Sequence, residues 1–247
     1  MPSFSSRGLQ ALIFTSAAVF SLAIGVEGAY AVGASGAPLL DMILTVDDGD
    51  PLSLNPGVGT ALGGGTYNFT SSFAGGSDYS VNWNLNVNAD PFVNGNMAAT
   101  NLSLSNLVFD LMVILPVTPI ASATVIGGSA QLTLTTSSAG GSVSTFGSQA
   151  GWEALMDGAV VHTFFAAPFS MTNPGLGSTL SAPQSFGTPI PSAAGPPVAS
   201  TIGVHLRFML TPGSAFSITS VFVVDVPGPA SLAVLAGGLL IRRRRRG

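Results

Sequence analysis

The chain has 247 residues, of which only 7% are charged, with 11 Asp and Glu against 7 Lys and Arg. An ordinary soluble domain is roughly 25% charged, so this composition favours an all-β extracellular fold over a helical cytosolic enzyme. Cysteine and lysine are both absent, which excludes a disulfide framework, a thiolate metal centre, Schiff-base chemistry and a P-loop.

The N-terminus reads as a secretory signal over residues 1–31. Arg7 supplies the positive charge, Ala11 to Gly25 is an apolar run, and Ala29-Tyr30-Ala31 forms an A-x-A cleavage site around Ala29 and Ala31. That run is shorter than the roughly 20 residues needed to span a bilayer, which argues against a permanent anchor. Between residues 32 and 226, ten acids against one base, Arg207, leave a net charge of −9. Nucleic acid needs a basic footprint, so it is excluded as a partner.

A strand is expected from Leu39 to Val46, ending in Asp47, Asp48, Gly49 and Asp50. Hard oxygen ligands around a glycine turn suit Ca²⁺, although the spacing departs from an EF-hand loop. A solvated turn explains Asp47, Asp48 and Asp50 equally well. Asn55 to Gly65 reads as a loop. Within it, Gly57 to Leu62 begins like a dinucleotide motif but has Leu62 where a glycine is required.

Ser77 to Asp90 alternates with period two. Tyr79, Val81, Trp83, Leu85 and Val87 share one face, while Ser80, Asn82, Asn84, Asn86 and Asn88 share the other. Tyr79 and Trp83 could stack on sugar rings, but their apolar face favours core packing. Leu102 to Val117 suits a central strand, with Asp110 as its one misfit. Ala139 to Ser148 reads as a loop. Asp157-Gly158 then predicts a tight hairpin joining GWEAL to VVHTFF, although Glu153 to Met156 also suits a single helical turn.

Asn173 to Pro197 is a proline-rich loop, expected to be a lid, a long connection or an insertion. In Thr201 to Leu210, Ile202, Val204, Leu206, Phe208 and Leu210 should point inward and His205 and Arg207 outward. The latter two are expected as an exposed surface pair. After a Thr211-Pro212-Gly213-Ser214 turn, Phe216 to Val224 alternates again, and the two strands are expected to form an antiparallel hairpin. No nucleophile elbow occurs, and no catalytic residue is assigned. The body, residues 32–226, is therefore expected to be a single antiparallel β-sandwich, jelly-roll or Ig-like.

The last residues, 227–247, have three parts: Pro227-Gly228-Pro229, an apolar segment over 230–241, and the arginine cluster Arg242, Arg243, Arg244, Arg245 and Arg246. As a helix, the apolar segment rises about 18 Å against a hydrocarbon core of about 30 Å. The arginines stop transfer and stay cytoplasmic. This tail resembles the PEP-CTERM sorting signal, with Gly228 where that family has Glu. The resemblance implies export through the secretion translocon, a transient hold in the inner membrane as a transmembrane helix, and processing by an exosortase-type membrane enzyme. It also implies delivery to the cell surface or biofilm matrix of a Gram-negative-type bacterium, in association with extracellular polysaccharide. An uncut C-terminal anchor is the rival reading of the same residues. The function expected is that of a secreted, non-enzymatic surface or matrix protein. A carbohydrate-binding module is the alternative, with a surface hydrolase behind it. No cofactor is assigned beyond the possible Ca²⁺.

Overall fold

In the computed structural model, residues 36–136 and 140–227 are described. They form two antiparallel sheets and, among the described residues, no helix. The first sheet holds β1 (Asp41–Val46), β2 (Leu52–Leu54), β7 (Leu107–Pro116), β9 (Gly141–Ser144), β10 (Trp152–Met156), β11 (Ala159–Phe164), β12 (Ser170–Asn173) and β16 (Thr201–Leu210). Its order is β11-β10-β16-β7-β1-β2, with β9 pairing both β12 and β16.

The second sheet holds β3 (Thr60–Gly63), β4 (Thr66–Gly75), β5 (Tyr79–Asn88), β6 (Phe92–Asn101), β8 (Thr124–Thr136), β13 (Gly177–Leu180), β14 (Gln184–Phe186), β15 (Ala193–Gly195) and β17 (Ser214–Asp225). Its order is β8-β17-β6-β5-β4-β3, and β13, β14 and β15 all pair with the far side of β8.

Period-two alternation decides which side of each strand is buried. Val81, Trp83, Leu85 and Val87 of β5 join Phe216, Ile218, Phe222 and Val224 of β17 in one apolar core. Leu111, Val113 and Leu115 of β7 and Val204, Leu206 and Phe208 of β16 enter the same core from the first sheet. Phe216 bridges the two layers, with its ring 5.2 Å from Phe208 and 6.5 Å from Phe109. Each side chain of this size contributes about 1.5–3 kcal/mol on burial. The result is a sandwich-like pair of sheets.

The Asp157-Gly158 hairpin forms as expected. Both residues have positive φ, 49° at Asp157 and 77° at Gly158, which suits a two-residue turn matched to strand twist. Glu153 to Met156 is strand β10, not a helical turn.

The expected hairpin of β16 and β17 is not present. β16 pairs with β7, β9 and β10, whereas β17 pairs with β6 and β8. The chain crosses between sheets at Thr211 to Gly213, where Gly213 has φ 67°. Alternation fixes an inward face, and that demand is met equally by facing a neighbour across the core. The ladders to β7 and β8 are long and satisfy both strands' backbones.

The loop expected over Asn173 to Pro197 is a strap instead. Its three short strands run along the edge of β8, and its prolines, which cannot donate to a ladder, all fall outside them. The loops expected over 55–65 and 139–148 likewise contain β3 and β9.

Candidate functional site

The charged side chains of the first sheet gather on its outer face. Asp110 lies on β7, His205 and Arg207 on the neighbouring β16, and Glu153 on β10 beyond it. Odd-numbered positions of β16 point away from the core, which puts His205 and Arg207 two residues apart on the same side. The His205 ring is held at both nitrogens, Nε2 at 2.7 Å from Asp110 Oδ1 and Nδ1 at 3.0 Å from Glu153 Oε2. Arg207 donates to Asp48 Oδ1 at 2.8 Å, and its Nη1 lies 3.3 Å from Asp110 Oδ2. Its guanidinium also sits over the Phe146 ring, 5.5 Å from the centroid.

His205 and Arg207 are not the exposed surface pair expected from the sequence. Their side chains are 12% and 17% exposed, and each is bound to acids from other strands. The misfit Asp110 is explained by the same contacts, since it faces both cations. Burial alone would push the His205 imidazole down. The hydrogen bonds and charges of Asp110 and Glu153 outweigh it and lift the pKa to about 9. His205 is therefore an imidazolium at neutral pH with both nitrogens engaged. A general base needs a nitrogen open to substrate, so this arrangement acts as a clamp across β7, β16 and β10.

The signal for this cluster was present in the sequence as isolated charges on otherwise apolar strands. What was missing was which strands would be neighbours.

The acidic turn after β1 divides its carboxylates among different partners. Asp47 accepts the Val108 N–H at 2.7 Å and donates its own N–H to Val108 O at 3.0 Å. Asp48 turns to Arg207, and Asp50 is exposed. Among the described residues, no group of three or more His, Cys, Asp or Glu side chains is placed to hold a metal ion.

Trp83 and Tyr79 face the core, as the alternation indicated. Trp83 is buried and donates Nε1 to Pro56 O at 2.9 Å, while Tyr79 meets Phe109 edge-on at 5.7 Å. A sugar platform on that face is closed off. The opposite face of the same strand carries its asparagines to solvent, with Asn82 and Asn84 exposed.

His162 of β11 stacks on Phe186 of β14 at 3.8 Å, tying the strap to the edge of the first sheet. Burial pushes its imidazole down. A shallow cleft of about 290 Å³ opens beside the end of β17, lined by Asp90, Pro91, Thr118, Pro119, Ile120 and Val226.

Of the sorting residues, Pro227 is described: it is exposed and follows the end of β17 by two positions. Gly228, Pro229, Arg242 to Arg246, Ala29 and Ala31 lie outside the described residues. Among the described residues, no helix is long and apolar enough to cross a membrane. No protein-family model matches the chain, and no curated protein or solved structure matches it either.

Proposed function

We propose that this is a secreted, non-enzymatic surface or matrix protein, sorted through its C-terminal tail by an exosortase-type system. The observation that carries the reading is the way the body ends. β17 is a central strand of the second sheet, yet Val226 and Pro227 directly after it are exposed, so the Pro227 motif starts at the surface, where a processing enzyme has access. An apolar segment and five arginines complete a tail whose composition a solvated extension does not need.

Within the two-sheet class, we read the topology as jelly-roll-like in preference to Ig-like. Consecutive strands β6, β7 and β8, and later β16 and β17, alternate between the sheets.

Mass spectrometry of material released from the cell surface tests the sorting reading. Mature protein should begin near Val32 and end near residues 227–229. Full-length protein ending at Gly247 and held firmly in the inner membrane would make the tail a simple anchor. An N-terminus that retains the apolar run would remove the cleaved signal from the account.

A further inference from the structure

The two sheets differ sharply in charge. Asp41, Asp110, Glu153, His205 and Arg207 all lie on strands of the first sheet. The nine strands of the second carry one charged residue, Asp225, at the very end of β17. Its outer face is instead rich in amides and hydroxyls, interrupted by apolar residues such as Val221 beside Asn94 and Ala98 beside Asn82. One row across the strands reads Asn68, Asn86, Asn94; the next reads Thr70, Asn84, Asn96, Thr219, Gln131.

Solvent-facing sheets ordinarily carry Lys and Glu, which keep them soluble and prevent edge association. A net charge of −9 over the body makes the neutrality of this face a local property. The amides are also oriented in advance. Asn68 donates to Asn84 at 2.6 Å and to Asn86 at 2.8 Å, and it accepts from Thr70 at 3.0 Å. Asn96 donates to Ser217 at 2.7 Å and to Thr219 at 3.2 Å. Asn82 and Asn94 are exposed and their side chains make no hydrogen bond to other described residues, so each presents two donors and an acceptor outward.

We propose that this face binds an uncharged, hydroxyl-rich polysaccharide, a partner class that rests on the reading of the chain as an exported matrix protein. A charged polymer would find no counter-charge here, and an anionic one would also be repelled by the acidic body. A neutral polyol needs no counter-charge and can exchange hydrogen bonds with the exposed amides of Asn82 and Asn94. Strands stand about 4.8 Å apart, a step comparable with one sugar ring, so a chain lying across them meets a fresh polar row at each strand. Tyr79 and Trp83 face the core and supply no stacking platform here. Each hydroxyl–amide bond replaces one to water and contributes little on its own. Affinity therefore comes from many simultaneous contacts and depends on polymer length.

Native gel electrophoresis tests this with the full-length protein in a zwitterionic detergent, in gels cast with hydroxyethylcellulose, dextran or galactomannan. At least one of these should retard the protein, salt should leave the retardation unchanged, and short oligosaccharides of the same sugar should not compete. Asn82→Asp with Asn94→Asp places two charges on the face without removing an internal bond, and should weaken the interaction by roughly tenfold or more as contacts are lost together. Asp41→Asn on the first sheet should leave it unchanged. Retardation by none of the three polymers, by alginate alone, or equally for the double variant would overturn the proposal. So would sedimentation showing that the double variant dissociates a dimer, which would make the face an interface between copies. Failure of surface sorting leaves these gels unaffected, and failure in the gels leaves the sorting reading intact.

Discussion

The Nε2 of His205 lies 2.7 Å from Oδ1 of Asp110, although 95 positions separate them. The contact joins the two central strands of the first sheet, β16 and β7, on their outer side. Glu153 holds the other ring nitrogen from β10, so one imidazolium links three strands. A half-buried cation between two carboxylates makes the stability of this sheet depend on pH.

His205 titrates near 6.5 in the unfolded chain and at about 9 in the folded one, so the folded state holds the extra proton between those values. Its contribution, on the order of 3 kcal/mol, is complete below pH 6.5 and lost as pH rises through 9. His162 shifts the opposite way and acts below 6.5, which leaves the upper window to His205. The urea midpoint should fall from pH 6.5 to 9, and His205→Gln should flatten that slope. An unchanged slope in the variant would refute the assignment.

Asp110→Ala should cost about 3–5 kcal/mol, because it removes one partner from a buried ionic group and leaves the others uncompensated. His205 would lose its 2.7 Å contact and Arg207 its 3.3 Å one. Asp48→Ala should cost well under 1 kcal/mol, since that carboxylate is 67% exposed. Chemical denaturation of the two variants should separate them clearly; equal losses would contradict the burial argument.

Asp157 occupies the first turn position with positive φ and accepts the N–H groups of Ala199, Ser200 and Thr201, at 2.7, 2.7 and 3.0 Å. Burial would raise its pKa, but these backbone bonds outweigh that and hold it below the usual carboxylate value. Its contribution is present above the unfolded pKa and is lost as pH falls through the folded one. Asp157→Ala should cost about 1–3 kcal/mol and blunt acid sensitivity below pH 4, as read by thermal melts.

Millimolar Ca²⁺ should leave the melting temperature unchanged. Asp47 is committed to the Val108 N–H and Asp48 to Arg207, so calcium would have to break both contacts to gather the turn's carboxylates. A rise in Tm with added Ca²⁺, abolished by Asp50→Asn, would restore the cation site.

What the sequence determined by itself is local. The period-two pattern from Tyr79 to Asn88 assigned Trp83 to the core and Asn82 and Asn84 to water, because neighbouring side chains on a strand must point to opposite faces. Asp157-Gly158 specified its hairpin through backbone conformations that few other residues adopt.

Only the tertiary structure decided which strands became neighbours. Nothing in β16 or β17 distinguishes pairing with each other from facing each other across the core, since both arrangements bury the same side chains. The strap over Asn173 to Pro197 was hidden for a related reason: its strands are three or four residues long and gain their ladder only from the edge of β8. The charged cluster depended on the same choice. Asp110, Glu153 and His205 each look misplaced on their own strand, and they become a stable set only when β7, β16 and β10 lie side by side, because an ion's cost of burial is offset by partners that sequence distance conceals.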